Sequence, residues 1–373
     1  MTKIIFLDEI PKNIELLNQK NSKIFALNFE VEKYLRNKNI IPTDVSEWIN
    51  WEDFILIDTI AMNIPMKWGL MKNMGRKIEF KGINLSLLIE KELFLSLLPI
   101  IHKIILVDKI IEKTNPKIAI IDENNNTYFG KILKNILKTN NIKTENIEMN
   151  KSNEEEFKGD KISFGIDILG KTFDITLKRK YFFILKDLVE KYWDIKFKFN
   201  NSKINIKENQ KKSILLLDFQ LINYHSFLKG LSNENYNLIF LNSRRPIIWN
   251  QESFEISKNI NLKKIQLEKK YDYKESKNQT IKIKKYLDEI QDESIFHIKK
   301  YNLSEIFKLI ILELIEKRIS EIVMTICSFE EKLKTQKFDM ILTLDDSQLF
   351  ERSVIFSCKK NNIPIIMIQN GDL

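Results

Sequence analysis

The sequence is poor in the residues from which common catalytic and metal-binding signatures are built. Its two cysteines, Cys327 and Cys358, belong to no CxxC or Cys/His cluster, which argues against a structural zinc site. Two isolated thiols fit a reducing cytoplasm. The three histidines, His102, His225 and His297, fall into no triad or metal spacing. There are nine glycines, and none forms a G-x-G-x-x-G, a GxxxxGK[ST] or a G-x-S-x-G. Neither common phosphate-cradling loop is therefore present, and neither is the hydrolase nucleophile turn. The chain also lacks a run of about 20 apolar residues, the length a spanning helix needs. Its most hydrophobic stretch, Leu93 to Ile111, is interrupted by Pro99, His102, Lys103 and Asp108. It reads as a buried helix, kinked or broken at Pro99. The start has only a short apolar run before Asp8, a first strand and not a signal peptide.

What is abundant points to a globular chain. The 373 residues give room for two or three domains at roughly 100–200 residues each. A hydrophobic share of 43% with 24 Phe is enough for real cores. The formal charge is +9. Lysines are mixed with Glu and Asp along the chain and form no one-sided stripe, and no nucleic-acid-binding module is recognisable. No nucleic acid is expected as a partner.

Short apolar runs alternate with helical patterns. Lys3 to Leu7, Lys23 to Leu27, Phe54 to Ile57 and Lys117 to Ile121 read as strands, with helices at Phe29 to Asn37, Asn84 to Thr114 and about Tyr128 to Lys138. Lys151 to Asp160 reads as a linker, and Ile162 to Leu177 as a hairpin turning at Gly170-Lys171. Lys178-Arg179-Lys180 then precedes Tyr181-Phe182-Phe183 and a helix, a combination that can rest on an anionic membrane surface. Asp194 to Phe199 alternates like a strand, and Asn200 to Lys212 is a second linker. Strands follow at Ser213 to Leu217, Asn237 to Leu241, Lys263 to Leu267, Phe338 to Leu344 and Ile363 to Ile368. Tyr271 to Thr280 has little pattern, and a long helix opens at Asn302. The expected fold is α/β, with Rossmann-like parallel sheets flanked by helices and right-handed crossovers. The divisions are 1–150, an N-terminal α/β lobe; 151–212, a connector; and 213–373, a second Rossmann-like domain. Asp122 and Asp345 each end a strand, and the helix that follows ends in Asn-Asn-Ile at 140–142 and 361–363. Two similar lobes would give that likeness, and so would common βαβ geometry.

Candidate chemistry sits at strand ends, because ligands of open α/β sheets bind outside the carboxyl ends of the strands. Asp218, Arg244, Arg245, Asp345, Asp346, Gln369 and Asn370 lie there. Glu351 and Arg352 lie in the last helix, and His225 follows the strand that ends at Asp218. A carboxylate at such a place acts as a general base toward a hydroxyl, with Asp345, Asp346 and His225 as the catalytic candidates. Adjacent arginines clamp a phosphate or a carboxylate. One of Asp345 and Asp346 is expected to cap the last helix and the other to face a cleft.

The run of a strand, Asp345-Asp346, a helix with Glu351-Arg352, Asn-Ile-Pro, a hydrophobic strand and Gln369-Asn370-Gly371 resembles part of the GT-B glycosyltransferases. These build capsular and surface polysaccharides, and some are polymer-forming glycerophosphotransferases. Ser213 to Trp249 resembles the opening of such a domain. In the family the last strand often ends in Gln-His-Gly; here Asn370 stands in the middle. The resemblance implies two Rossmann-like domains with the active site in their cleft and 213–373 on the acceptor side. It implies transfer of a sugar or polyol phosphate from a nucleotide-activated donor to a glycan or lipid-linked acceptor, with the nucleotide sugar as substrate and with no further cofactor or metal. The isolated thiols and the basic cluster beside Tyr181-Phe182-Phe183 add the expectation of a cytoplasmic protein with peripheral membrane contact. The chain stops where a donor domain is expected to begin, so a longer protein is expected. The alternative is a non-catalytic ligand-binding or scaffold protein of the same pathway.

Overall fold

A computed structural model of the chain describes residues 3–17, 22–46, 48–70, 78–150, 161–168, 171–201, 212–234, 236–243, 246–260, 262–268 and 272–368. The strands are β1 (Lys3–Leu7), β2 (Ser22–Ala26), β3 (Glu79–Phe80), β4 (Ile83–Asn84), β5 (Ile118–Ile121), β6 (Lys143–Asn146), β7 (Lys161–Ile168), β8 (Lys171–Lys178), β9 (Ser213–Leu217), β10 (Asn237–Leu241), β11 (Lys263–Lys264), β12 (His297–Ile298), β13 (Tyr301–Asn302), β14 (Met340–Thr343) and β15 (Ile365–Met367). The helices are α1 (Phe29–Asn37), α2 (Trp51–Lys67), α3 (Glu90–Thr114), α4 (Tyr128–Thr139), α5 (Arg179–Asn201), α6 (His225–Asn233), α7 (Gln251–Asn259), α8 (Tyr273–Asp288), α9 (Ser304–Thr335) and α10 (Leu349–Lys360). Two compact units share them. Unit 1 gathers Met1–Met74, Glu92–Lys158 and Ile283–Ile315; unit 2 gathers Gly75–Lys91, Gly159–Lys282 and Glu316–Leu373.

Unit 1 holds a four-stranded sheet in the order β2–β1–β5–β6. Every pairing is parallel, with Lys3 opposite both Ser22 and Ile118, and Ile118 opposite Lys143. The last four residues of β1, Ile4 to Leu7, are all buried, as a parallel strand covered on both faces requires. Ile5, Leu7 and Ile120 pack with Val31 and Leu35 of α1. Asn28 fixes the start of α1, its Oδ1 accepting from the Val31 N–H at 2.9 Å.

Unit 2 holds a five-stranded, all-parallel sheet in the order β11–β10–β9–β14–β15. Its strands alternate between two apolar layers. Ile214, Leu216, Leu238, Phe240 and Leu342 face one layer; Leu215, Leu217, Ile239, Leu241 and Ile341 face the other. The α/β fold with parallel sheets and flanking helices is thus as the sequence indicates. The hairpin is present too, β7 and β8 pairing antiparallel from Lys161↔Lys178 to Ile168↔Lys171.

The structure also corrects several local expectations. Phe54 to Ile57 lies inside α2, not in a strand. Asn50 and Asp53 form a reciprocal capping box, both bonds 2.9 Å, which starts a helix there. Asp194 to Phe199 belongs to the last turns of α5. The strand expected over Lys263 to Leu267 contracts to Lys263–Lys264, and the unpatterned Tyr271 to Thr280 falls largely in α8. α3 continues through Pro99 without a break.

The repeated Asn-Asn-Ile has a common geometry. Asn141 and Asn362 both adopt the left-handed conformation, at φ +54° and +55°. The N–H groups of Ile142 and Ile363 reach back to the carbonyls of Leu137 and Cys358, each at 3.0 Å. These bonds close the helix ends as a Schellman motif does. The Asn140 and Asn361 side chains add bonds to Ile136 O and Ser357 O at 2.8 and 2.7 Å.

Within unit 1 a charge is buried among α3, α4 and the β12–β13 hairpin. Asp108 is 2% exposed. Its carboxylate accepts from the Tyr301 hydroxyl and, at 2.5 Å, from Lys299 Nζ; Asn140 Nδ2 donates to the Tyr301 oxygen at 3.0 Å. Burial alone raises the Asp108 pKa, but the hydrogen bonds from Lys299 and Tyr301 outweigh it and hold the carboxyl below its ordinary value. For Lys299, burial works toward a lower pKa, and the Asp108 bond and charge more than reverse it. The contribution of Asp108 to stability is full above its unfolded pKa, about 4, and is lost as pH falls through the lower folded value. That of Lys299 is full below its ordinary pKa and fades as pH rises through the folded one. Asp108→Ala removes the close partner of Lys299 and leaves the buried Tyr301 hydroxyl without an acceptor, so urea unfolding should show a loss of about 3 kcal/mol at neutral pH. The gap between wild type and Asp108→Asn should narrow as pH falls below about 4.

Candidate functional site

A sheet that winds outward from its first strand in both directions leaves a crevice at the carboxyl edge where the direction reverses. In unit 2 the chain runs from β9 out to β10 and β11, then returns to the other side of β9 for β14 and β15. The reversal lies between β9 and β14. In unit 1 the chain moves from β1 to β2, then to β5 and β6 on the opposite side. That reversal lies between β1 and β5. Each of these four strands is followed within two residues by an aspartate: Asp218, Asp345, Asp8 and Asp122.

At the unit 2 edge, Asp218 sits at φ +55°, a conformation Asp tolerates better than most residues. Its Oδ1 accepts from Ser243 N–H at 2.8 Å and so ties the loop after β10 to the end of β9. Asn242 Nδ2 donates to Phe219 O at 3.0 Å across the same gap. His225 is half-buried and opens α6, so this edge carries an imidazole as well as carboxylates.

After β14, Asp345 Oδ1 accepts from Ser347 N–H at 2.7 Å and from Ser347 Oγ at 2.5 Å. Thr343 Oγ1 donates to Asp345 O at 2.7 Å, and Lys91 Nζ reaches Ser347 Oγ at 2.5 Å. The N-cap of α10 is Gln348, without a side-chain cap bond. The expectation that Asp345 or Asp346 caps α10 is therefore corrected: Asp345 closes a turn on Ser347 two residues earlier. Asp346 is exposed. Glu351 is fully buried in the first turn of α10, the end of a helix that favours negative charge. Arg352 donates to Leu87 O at 2.6 Å and pairs with Glu90 at 2.9 Å. Arg244, Arg245, Gln369 and Asn370 lie outside the described residues.

The unit 1 edge was not singled out from the sequence, although Asp8 ends its strand just as Asp218 does. Asp8 Oδ1 accepts from Lys103 Nζ at 2.5 Å, and Asn28 Nδ2 donates to Asp8 O at 2.5 Å. Lys103 also lies over the Phe129 ring, 5.0 Å from its centroid. Asp122 turns onto Asn124 N–H at 2.9 Å. Between Asp8, Asp122, Asn125 and Gly130 is a cavity of about 10 Å³, room for a single water. Sites for nucleotides or drug-sized ligands are typically 300–1,000 Å³, so this cavity by itself is too small for one. Among the described residues no cluster of three or more His, Cys, Asp or Glu is placed to hold a metal.

Comparison of the chain with protein-family models, with curated proteins and with solved structures gives no match. The edges must therefore be read from their own chemistry. At unit 2 that chemistry is a hydroxyl- and carboxylate-rich rim with an exposed Asp346 and the first turn of α10 without a side-chain cap, with His225 at the start of α6 after β9.

Gly130 tests how tightly the unit 1 edge is closed. A Cβ there would lie 2.7 Å from Asn125 Cγ and 2.8 Å from Asn125 O. Helix propensity alone favours alanine by roughly 1 kcal/mol. The clash with a backbone oxygen should reverse that sign, and Gly130→Ala should lower stability by about 1–2 kcal/mol in urea unfolding.

Proposed function

We propose that the chain is a glycosyltransferase-like protein of cell-surface polysaccharide biosynthesis, of the GT-B type. In this reading a sugar or polyol phosphate passes from a nucleotide-activated donor to a hydroxyl of a glycan or lipid-linked acceptor, at the cytoplasmic face of a membrane. The observation that carries it is the presence of two all-parallel sheets in one chain, each reversing its winding beside an aspartate at the carboxyl edge. Such edges are where α/β sheets take nucleotide and sugar ligands. At the unit 2 edge, Asp346 has the exposure that a base receiving an acceptor proton requires. The oxyanion that forms attacks the anomeric carbon or phosphorus of the donor, and the nucleotide leaves with the bonding electron pair.

A second reading has its own support. Asp218, Asp345 and Arg352 are each committed to contacts within the protein, as in a ligand-binding or scaffold protein that performs no transfer.

Purified protein should be mixed with a panel of nucleoside diphosphate sugars, CDP-glycerol and oligosaccharide acceptors, and followed by thermal shift and by release of free nucleotide. The transferase reading expects one donor–acceptor pair to release nucleotide. Asp346→Asn should reduce that release about a hundredfold or more, with a stability change within about 0.5 kcal/mol, as at exposed sites. A ligand that shifts the melting temperature without transfer would favour the binding protein. No shift and no release across the panel would overturn both.

A further inference from the structure

α5 carries two apolar stripes, and unit 2 uses one. Phe182 and Trp193 are buried; Trp193 packs on Phe254 with ring centroids 5.6 Å apart and joins the core layer that includes Phe240. Buried Lys186 is neutralised by Glu190 at 3.0 Å. Arg179 anchors the start of the helix through Glu321 at 2.8 Å.

The second stripe is Tyr181, Leu185, Leu188, Tyr192 and Ile195. These residues recur at alternating spacings of four and three, so they share one side of the helix. They are 59%, 43%, 59%, 60% and 57% exposed, and Ile184 beside them is 50% exposed. Together they leave apolar surface on the order of 600 Å² open, at the upper limit for a contiguous patch on a monomer.

Charge indicates what covers this face. From Lys178 to Lys198 the sequence has seven Lys and Arg against three acids. Arg179 and Lys186 are paired with Glu321 and Glu190, and Lys196 lies over Trp193, while Lys180 and Lys191 are exposed. A second copy would set one cationic face against another. An anionic lipid surface attracts the same face at about 1 kcal/mol per basic residue. Tyrosine is also a residue type that favours the membrane interface. No described helix is long and apolar enough to cross a membrane, so the helix would lie in the plane of the interface. α2 supplies a contrast. It exposes Trp51, Ile55, Met62 and Met66, but from Trp51 to Lys67 it has one lysine against Glu52, Asp53 and Asp58.

We propose that the exposed face of α5 docks on an anionic phospholipid surface, with Tyr181, Leu185, Leu188, Tyr192 and Ile195 inserted at the headgroup level and Lys180 and Lys191 over the lipid phosphates. This is independent of the transferase reading. The test is co-sedimentation of the whole chain with phosphatidylcholine vesicles, with and without phosphatidylglycerol. Binding should require phosphatidylglycerol and should weaken in high salt. It should fall about tenfold or more in Leu188→Ser/Tyr192→Ser and in Lys180→Glu/Lys191→Glu. All four side chains are exposed, so circular dichroism should show these variants folded. Met62→Ser/Met66→Ser in α2 should bind as wild type does. Three results would each overturn the proposal: no binding to the anionic vesicles, equal loss in the α2 variant, or a wild-type dimer in light scattering that Leu188→Ser/Tyr192→Ser dissociates.

Discussion

The rest of the structure depends on parallel strand pairing. A parallel strand is linked to its neighbour by a crossover that returns over a face of the sheet, so both faces become covered. Ile214 to Leu217, Leu238 to Leu241 and Ile4 to Leu7 are accordingly apolar on both sides. Polar side chains are displaced to the strand ends. At the carboxyl ends they meet the first turns of the helices, whose backbone N–H groups need acceptors. The concentration of Asp, Asn and Ser at both edges follows from this before any ligand is considered.

That displacement also limits what strand-end residues reveal. Asp218, Asp345, Asp122 and Asn125 all stand where ligand contacts are sought in an α/β sheet, yet each accepts a backbone N–H nearby. A carboxylate that holds a loop is held by it, and its lone pairs are partly occupied. Among the described residues at the β9–β14 edge, Asp218 and Asp345 close turns and Asp346 is the carboxylate left exposed. The alternation of apolar runs could not make that distinction, because a turn-closing aspartate and a reactive one occupy the same sequence position.

Much of the architecture was legible because periodicity reports burial. β1, β2, β5, β9, β10, β14, β15, the β7–β8 hairpin and α10 all have runs whose spacing matches their surroundings. β6 is Lys-Thr-Glu-Asn, mostly exposed at the sheet edge, and carries no apolar run to read. The departures arise where local composition competes with helix-starting chemistry. Phe-Ile-Leu-Ile at 54–57 looks like a strand by composition, but Asn50 and Asp53 had already set a helix start with two hydrogen bonds. Asp194 to Phe199 alternates in sequence, yet it continues the helix that begins at Arg179. α8 is polar over its first turns, so its pattern was weak, although Asp272 Oδ1 accepts from Glu275 N–H at 2.9 Å and starts it.

A helix with two apolar stripes raises a question that the fold cannot answer from within. One stripe is accounted for by the core it covers. Scattered exposed apolar residues need no explanation, but a second stripe kept in step along α5 is a pattern, and an exposed pattern of that size has a solvation cost unless something covers it. α2 and α5 both have this property and differ in the sign of their charge. Whatever covers them therefore need not be the same. The hydrophobic term sets how strongly each face seeks cover, and the charges set which surface can supply it. On α5 the two terms favour the same surface, apolar below its headgroups and negative at them.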